Sequence, residues 1–412
     1  MQKNYQKKSF SYGWVIIFIS GLGVFFSGPG QTYNVSMFLD SFIGNFNWSR
    51  SLVSATYSLG SVGAGLAIGL VGLMIDRFGH RKSATIIVVL LGASCVWMIF
   101  ISNVFMLFFG FFLIRLLGQG SMSVWPPTLV SNWFNKRRGL ALSIMGVGGM
   151  AASAAFPPIS NWLISTWGWQ IGWQFWGAIL LVFMAPLTWF LIRNHPRPKT
   201  GQTANVDPDQ KEERTGGIPS FSLKEARKTF TYWLVLFCLF VPSMLVTGIS
   251  FHIVSILGIR GLSPTVAATT LSVMAIVGFP FSLLAGYIYD RIKIRSVLII
   301  FFTFYLFTFI WLQNVDTLQK SIVYGILMGI VLGFLNVTIN IVGPNYFGLD
   351  YLGSIRGSIQ SSLLLGSALG PIIFGFSYDY FGGYTEILWI TMLFPAMGVV
   401  ASSFLKIPIK NS

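Results

Sequence analysis

Gly72-Leu-Met-Ile-Asp76-Arg77-Phe-Gly79-His-Arg81-Lys82 is a charge-dense turn set between two long apolar runs, and its reading decides the fold. The same grammar returns as Gly286-Tyr-Ile-Tyr-Asp290-Arg291-Ile-Lys293-Ile-Arg295, again between apolar runs. The interval from Asp76 to Asp290 equals that from Ser49 to Ser263, which open the preceding runs. A second pair, Arg138-Gly139-x8-Gly148 and Arg356-Gly357-x8-Gly366, repeats at nearly the same interval. The chain is built as two related halves.

Working outward, the apolar runs fall near residues 13–38, 51–74, 82–102, 104–133, 139–165 and 171–192. A second set lies near 231–257, 265–288, 296–314, 320–345, 357–377 and 386–405. Each is long enough for a helix to cross a hydrocarbon core, which takes about 20 residues. Only 9% of the 412 residues are charged, against roughly 25% in a soluble domain. A water-facing surface of this size could not be covered, which excludes a soluble enzyme. The expected fold is an all-α integral membrane protein of twelve transmembrane helices in two pseudo-symmetric six-helix bundles, 1–192 and 230–412. A cytoplasmic linker, 193–229, joins them, and Ser222-Leu-Lys-Glu225 in it has the spacing of a capping box. The first run, from Trp14 well past Val24, is too long for a signal-peptide core and reads as a retained helix. Cys95 and Cys238 lie inside apolar runs, so no disulfide framework is expected.

The net charge of +15 has a topological explanation. With both termini in the cytoplasm, 23 of the 27 Lys and Arg fall on the inner side, as cytoplasmic loops require. Arg50, Arg260 and Lys320 are outside, and Arg115 lies within span 4. The basic excess therefore does not indicate nucleic acid. The protein is expected in a bacterial inner (plasma) membrane, in contact with the bilayer, as a monomer.

Every acidic residue lies in a tail, loop, linker or span end. Membrane carboxylates are the usual proton relays and cation partners, so a cationic-drug exporter or a carboxylate-built sodium site is disfavoured. Arg115 and His252 (span 7) are the interior ionisable groups. Arg115 can hold an anion through bidentate, charge-assisted contacts, or can serve structurally by bonding backbone carbonyls and Gln119. His252 can titrate near neutral pH, or can be a hydrogen-bonded structural histidine. Polar and small residues recur at helical steps: Ser20, Gly23, Ser27, Gln31 and Asn34 in span 1, and Gly329, Gly333, Asn336, Asn340 and Gly343 in span 10. Span 4 aligns Arg115, Gly118, Met122 and Trp125, span 7 aligns Ser243, Thr247 and Ser250, and span 11 offers Gln360. Such stripes line a cavity or pack helices closely.

The loop sequence at Gly72–Lys82 and its degraded copy resemble those of the major facilitator superfamily, and with the twelve spans the resemblance covers nearly the whole chain. Trp133-Phe134-Asn-Lys-Arg137-Arg138-Gly139-Leu-Ala141, Phe46-Asn-Trp48-Ser49-Arg50 and Phe251-His252 are similar to the monocarboxylate transporter and oxalate–formate antiporter branch. The resemblance implies the major facilitator fold, a cavity lined by spans 1, 4, 7 and 10, and a cytoplasmic gate. In that gate Asp76 meets the start of span 11 and Asp290 the start of span 5, since helix N-termini favour a carboxylate. Gly72, Arg77, Gly79, Arg81, Arg138, Arg291 and Arg356 belong to the same gate. Ser282 stands where carboxylate carriers of the branch often place an Arg, and no Lys occurs between Arg356 and Asp379. These departures argue against a doubly charged substrate. Ala152-Ser153 replaces the Gly-Pro of the drug-antiporter motif.

The function that follows is secondary active transport of a small, monocarboxylate-like organic anion by alternating access, with or without coupled protons, as symport or antiport. Arg115, Gln119, Gln31, Asn34, Trp125, His252, Asn336, Asn340 and Gln360 are the candidate substrate contacts. A neutral or amphipathic cargo is the alternative within transport, and a non-transporting membrane sensor the competing class. An enzyme would need a nucleophile–base pair or a metal cluster. None is legible, so no catalytic residue, metal or cofactor is expected.

Overall fold

The computed structural model describes residues 2–134, 138–193, 220–348 and 351–408, with side chains at all of these except 2–11, 72, 76, 138, 352 and 353. Every regular element among them is helical. Twelve stretches are long and apolar enough to cross a membrane, from Tyr12–Phe46 to Thr385–Ser403. Large side chains such as Leu66, Phe105, Val182, Phe190 and Leu283 lie exposed on their flanks. On a water-soluble protein such an apolar surface would be a liability; in a bilayer it is the solvent-matched face.

The first half comprises α1 (Gln2–Phe25), α2 (Thr32–Phe46), α3 (Arg50–Ile99), α4 (Val104–Ile114), α5 (Met122–Trp133), α6 (Arg138–Trp167), α7 (Trp169–Ile179) and α8 (Ala185–Leu191). The second comprises α9 (Leu223–Ala226), α10 (Phe230–Gly258), α11 (Pro264–Tyr289), α12 (Ile294–Gln313), α13 (Leu318–Phe347), α14 (Leu352–Phe381), α15 (Thr385–Thr391) and α16 (Leu393–Ser403). Local chemistry sets several boundaries. Ser49 Oγ accepts the Leu52 N–H and Asn103 Oδ1 the Met106 N–H, capping α3 and α4. The capping box forms at Ser222, whose N–H meets Glu225 Oε2 at 2.8 Å while its Oγ accepts the Glu225 N–H. Gly79, at φ 78°, is the one non-helical residue inside α3 and separates spans 2 and 3. A side chain there would be strained, so glycine is required in the turn.

The chain resolves into two compact units, one of Met1–Pro196 with Ser250–Ala275, the other of Arg197–Ile249 with Ile276–Ser412. They are packing units and not the linear halves of the repeat. Apolar burial does not drive helices together in lipid, so close approach through small residues carries much of the association. The repeated Gly-x8-Gly shows this in each unit. A Cβ on Gly148 would collide with the Gly21 carbonyl, and one on Gly366 would lie 2.5 Å from the Phe240 carbonyl oxygen. Gly148 therefore seats span 5 on span 1, and Gly366 seats span 11 on span 7.

Span 1 is not one helix. Gly28-Pro29-Gly30 forms a 3-10 turn between α1 and α2, and Gln31 is extended at φ −86°, ψ 146°. Span 4 is interrupted at the same place in the fold: Arg115–Ser121 winds as a π-helix between α4 and α5. The two irregular segments touch, because a Cβ on Gly118 would lie 2.8 Å from Gly30 Cα and one on Gly30 would collide with the Ile114 carbonyl.

Candidate functional site

Arg115 opens the π segment and is 4% exposed. Its Nε donates to Ser61 Oγ at 2.9 Å, and its Nη1 donates to the Gly30 carbonyl at 3.2 Å and Thr32 Oγ1 at 3.4 Å. The guanidinium carbon stands 4.9 Å from the centre of the Tyr57 ring, whose hydroxyl pairs with Thr32 Oγ1 at 2.8 Å. The break in span 1 supplies both Gly30 and Thr32: an unbroken helix would have consumed that carbonyl internally. No acceptor among the described residues meets Nη2. Among the described residues Arg115 also forms no ion pair, so a full positive charge sits buried in a cradle of neutral groups.

Gln31 and Gln119 are half-buried beside this cradle. Gln31 Nε2 donates to Ser27 Oγ at 3.1 Å, and the backbone nitrogen of Gln119 would lie 2.9 Å from a Cβ on Gly30. Asn34 and Trp125 point elsewhere. Asn34 is fully buried, its Oδ1 accepting from Ser160 Oγ at 2.6 Å, and that hydroxyl in turn accepts from Trp176 Nε1 at 2.9 Å. Trp125 is fully buried over Gly23, with its Nε1 on Met122 Sδ at 3.1 Å. The break between Gly28 and Gln31 resets the rotation of span 1, so the stripe counted through it is not one face. The π turn does the same in span 4.

His252 is fully buried, with Nε2 3.2 Å from Ser54 Oγ, and Phe251 beside it meets the Tyr57 ring at 4.4 Å. Further along α10, Ser255 Oγ donates to Asp40 Oδ1 at 2.8 Å. Arg50 Nη1 donates to the same oxygen at 2.7 Å and also to Ser255 Oγ. Asn161 Nδ2 to Thr265 Oγ1 (3.0 Å) and Ser272 Oγ to the Ala154 carbonyl (2.6 Å) are further polar contacts of Ser250–Ala275 within its unit.

In the other unit Asn336, Asn340 and Gln360 are exposed, and Asn340 Nδ2 bonds the Asn336 carbonyl at 2.8 Å. Ser243 Oγ donates to the Leu363 carbonyl at 2.7 Å and Thr247 Oγ1 to Ser367 Oγ at 3.2 Å, so these two serve helix packing. Of the expected gate residues, the side chains of Gly72, Asp76 and Arg138 lie outside the described residues. Arg77, Asp290, Arg291 and Arg356 are exposed. Arg81 lies 4.5 Å over the Trp189 ring, Arg291 4.0 Å over Tyr287, and Arg77 5.5 Å over Phe78. Cations above aromatic faces at helix ends suit the water–lipid boundary. No group of three or more His, Cys, Asp or Glu fit to hold a metal occurs among the described residues.

Sequence reasoning missed Tyr57, Ser61, Thr32 and the Asp40–Arg50–Ser255 cluster. Ser54, Tyr57 and Ser61 fall at helical spacing on one face of α3, a signal present in the chain. The Gly-Pro-Gly that breaks span 1 was likewise in plain view.

A family model described as Major Facilitator Superfamily matches residues 13–371. An MFS-type transporter of Bacillus subtilis, YcxA, is 25% identical over 386 residues, 86% of each chain. Monocarboxylate transporter 13 of Rattus norvegicus is 24% identical over 411 residues, covering 96% of this chain and 86% of its own. The crystal structure of a D-xylose–proton symporter superposes with a TM-score of 0.72 at 16% identity, over 96% of this chain and 97% of that one.

Proposed function

This chain belongs to the Major Facilitator Superfamily of membrane transporters, and from that premise we propose that its cargo is a small organic anion of the monocarboxylate kind, bound at Arg115. One observation carries the reading: the Arg115 guanidinium is buried and, among the described residues, is held by neutral acceptors alone, with Nη2 left for a ligand. Burying an uncompensated cation is costly, and an arriving carboxylate offsets that cost while completing the fork of donors. A single cation suits a single negative charge. Kinship with proteins named monocarboxylate transporters supports the same class. Gln31 and Gln119 flank the cradle and supply polar contacts to the rest of the cargo.

In this reading the carrier is a monomer in a bacterial inner membrane with both termini in the cytoplasm, supported by the distribution of Lys and Arg. The loop motif around Asp76 and its copy at Asp290 gate the cytoplasmic side. Protons enter through His252 or on the cargo itself.

The test is uptake of labelled monocarboxylates into proteoliposomes, with and without an imposed pH gradient. Saturable uptake of at least one acid, lost in Arg115→Gln and only partly restored in Arg115→Lys, is the expected result. Equal uptake of the acid by Arg115→Gln would overturn it and favour a neutral cargo.

A further inference from the structure

We infer that Tyr57 couples the state of the Arg115 site to the packing of residues 251–255 on α10. The inference rests on Arg115 as the seat of the cargo, and adds how arrival of that cargo is sensed. The warrant is one face of α3. Ser54, Tyr57 and Ser61 lie along it at steps of three and four, so they share an orientation. Ser61 receives Arg115 Nε, Ser54 meets His252, and Tyr57, between them, touches both sides. Its ring lies 4.9 Å from the Arg115 guanidinium carbon and 4.4 Å from the centre of the Phe251 ring, and its hydroxyl shares Thr32 with Arg115 Nη1.

A cation is drawn to an aromatic face by the negative face of the ring quadrupole, most strongly where water is excluded. Tyr57 is fully buried, so the attraction is unscreened. An anion at Nη2 neutralises the guanidinium and weakens its hold on the ring. Tyr57 is then released from the position in which it packs on Phe251. Phe251 adjoins His252, and four residues beyond it Ser255 closes the contact with Asp40 and Arg50. Loosening the aromatic contact thus acts on the whole row by which the end of α10 is held. Tyr57 is a positioning residue here, acting through its ring.

The test reads the packing of α10 directly. Cys95 and Cys238 are buried and are replaced by Ala, and Val254→Cys, a buried site on α10, reports by its rate of alkylation with a maleimide in detergent. Arg115→Gln, which mimics neutralisation, is expected to raise that rate by roughly threefold or more. In Tyr57→Leu the response to Arg115→Gln disappears, whereas Tyr57→Phe, which keeps both ring contacts, retains it. Phe251→Leu removes the contact from the other side and is expected to abolish the response as well, which preserves the test if Tyr57→Leu does not fold. An undiminished response in the Leu variants, no response to Arg115→Gln at all, or its loss in Tyr57→Phe would overturn the coupling. Uptake of labelled lactate and pyruvate by Arg115→Gln separates the two ideas. Lost uptake with purely additive labelling would sink the coupling and spare the anion site. Wild-type uptake would sink the anion site, and the sensing of cargo with it.

Discussion

Spans 1 and 4 differ from their counterparts, spans 7 and 10, in the continuity of the backbone. Span 7 runs unbroken as α10 through Pro242, and span 10 as α13 through Pro344. Span 1 breaks at Gly28-Pro29-Gly30 and span 4 widens at Arg115–Ser121. A proline alone is therefore insufficient to break a span here, because neighbouring groups in a membrane bundle satisfy the backbone it frees. Two flanking glycines add the freedom that the break needs. The irregular pair also carries the buried Arg115, whereas in the regular pair span 10 carries the exposed amides Asn336 and Asn340. A duplicated scaffold has become specialised by backbone geometry in one half.

Removing the cation tests this asymmetry most severely. Arg115→Gln is expected to lower kcat/KM for a transported monocarboxylate about a hundredfold, the scale of losing one partner of a buried charged contact. Asn336→Ala on regular span 10 is expected to cost no more than about threefold by the same measure, as loss of a neutral hydrogen bond does. Comparable losses would erase the distinction.

Next in size is the contact between the irregular segments. Gly30→Val forces side-chain atoms into the Ile114 carbonyl, and overpacking of this kind costs about 1–3 kcal/mol. Gly258→Val, near the end of unbroken span 7, meets open space and is expected to leave the melting temperature nearly unchanged. Thermal unfolding of the purified protein in detergent compares the two.

The loop motifs sharpen the comparison at the proposed gate. Asp76→Asn is expected to slow transport about tenfold, the upper range for a carboxylate at a helix N-terminus, while membrane insertion is unaffected. Asp290→Asn, in the degraded copy, is expected to do less. Exchange at the wild-type rate by Asp76→Asn would remove it from the gate.

The smallest expected effect concerns His252. His252→Gln keeps a hydrogen-bonding side chain for Ser54 but cannot take up a proton, so exchange at matched pH persists while the pH dependence of transport flattens. Counterflow at equal pH, paired with uptake driven by a pH gradient, makes the measurement. Unchanged gradient-driven accumulation would assign the proton to the cargo.

The fold was legible because its signals are additive: twelve apolar runs, the charge distribution, and the repeated turn each accumulate over many residues. The capping box at Ser222 was legible because its chemistry is local. The site was legible only in its charge. Arg115 stands out in an apolar span, but its partners come from the turn at Gly30–Thr32 and from span 2. Helical counting through Gln31 and Asn34 presumed a regular screw and so grouped residues that the break turns apart. Asp40 and Arg50 stand ten residues apart across a turn and meet Ser255 from a distant segment, and no spacing rule links the three.

The wide turn at Arg115–Ser121 also sets a rule for rebuilding this carrier. Each residue advances an α-helix by about 100°, and a π turn spends an extra residue without the matching rotation. A chimera that copies the straight span 10 into the place of span 4 would therefore fail by azimuth, whatever its composition. Everything after the graft would face the wrong neighbour, and the seat over Gly23 that Trp125 fills would be lost with span 4 itself. A symmetric carrier made from this chain must copy the irregular half onto the regular one.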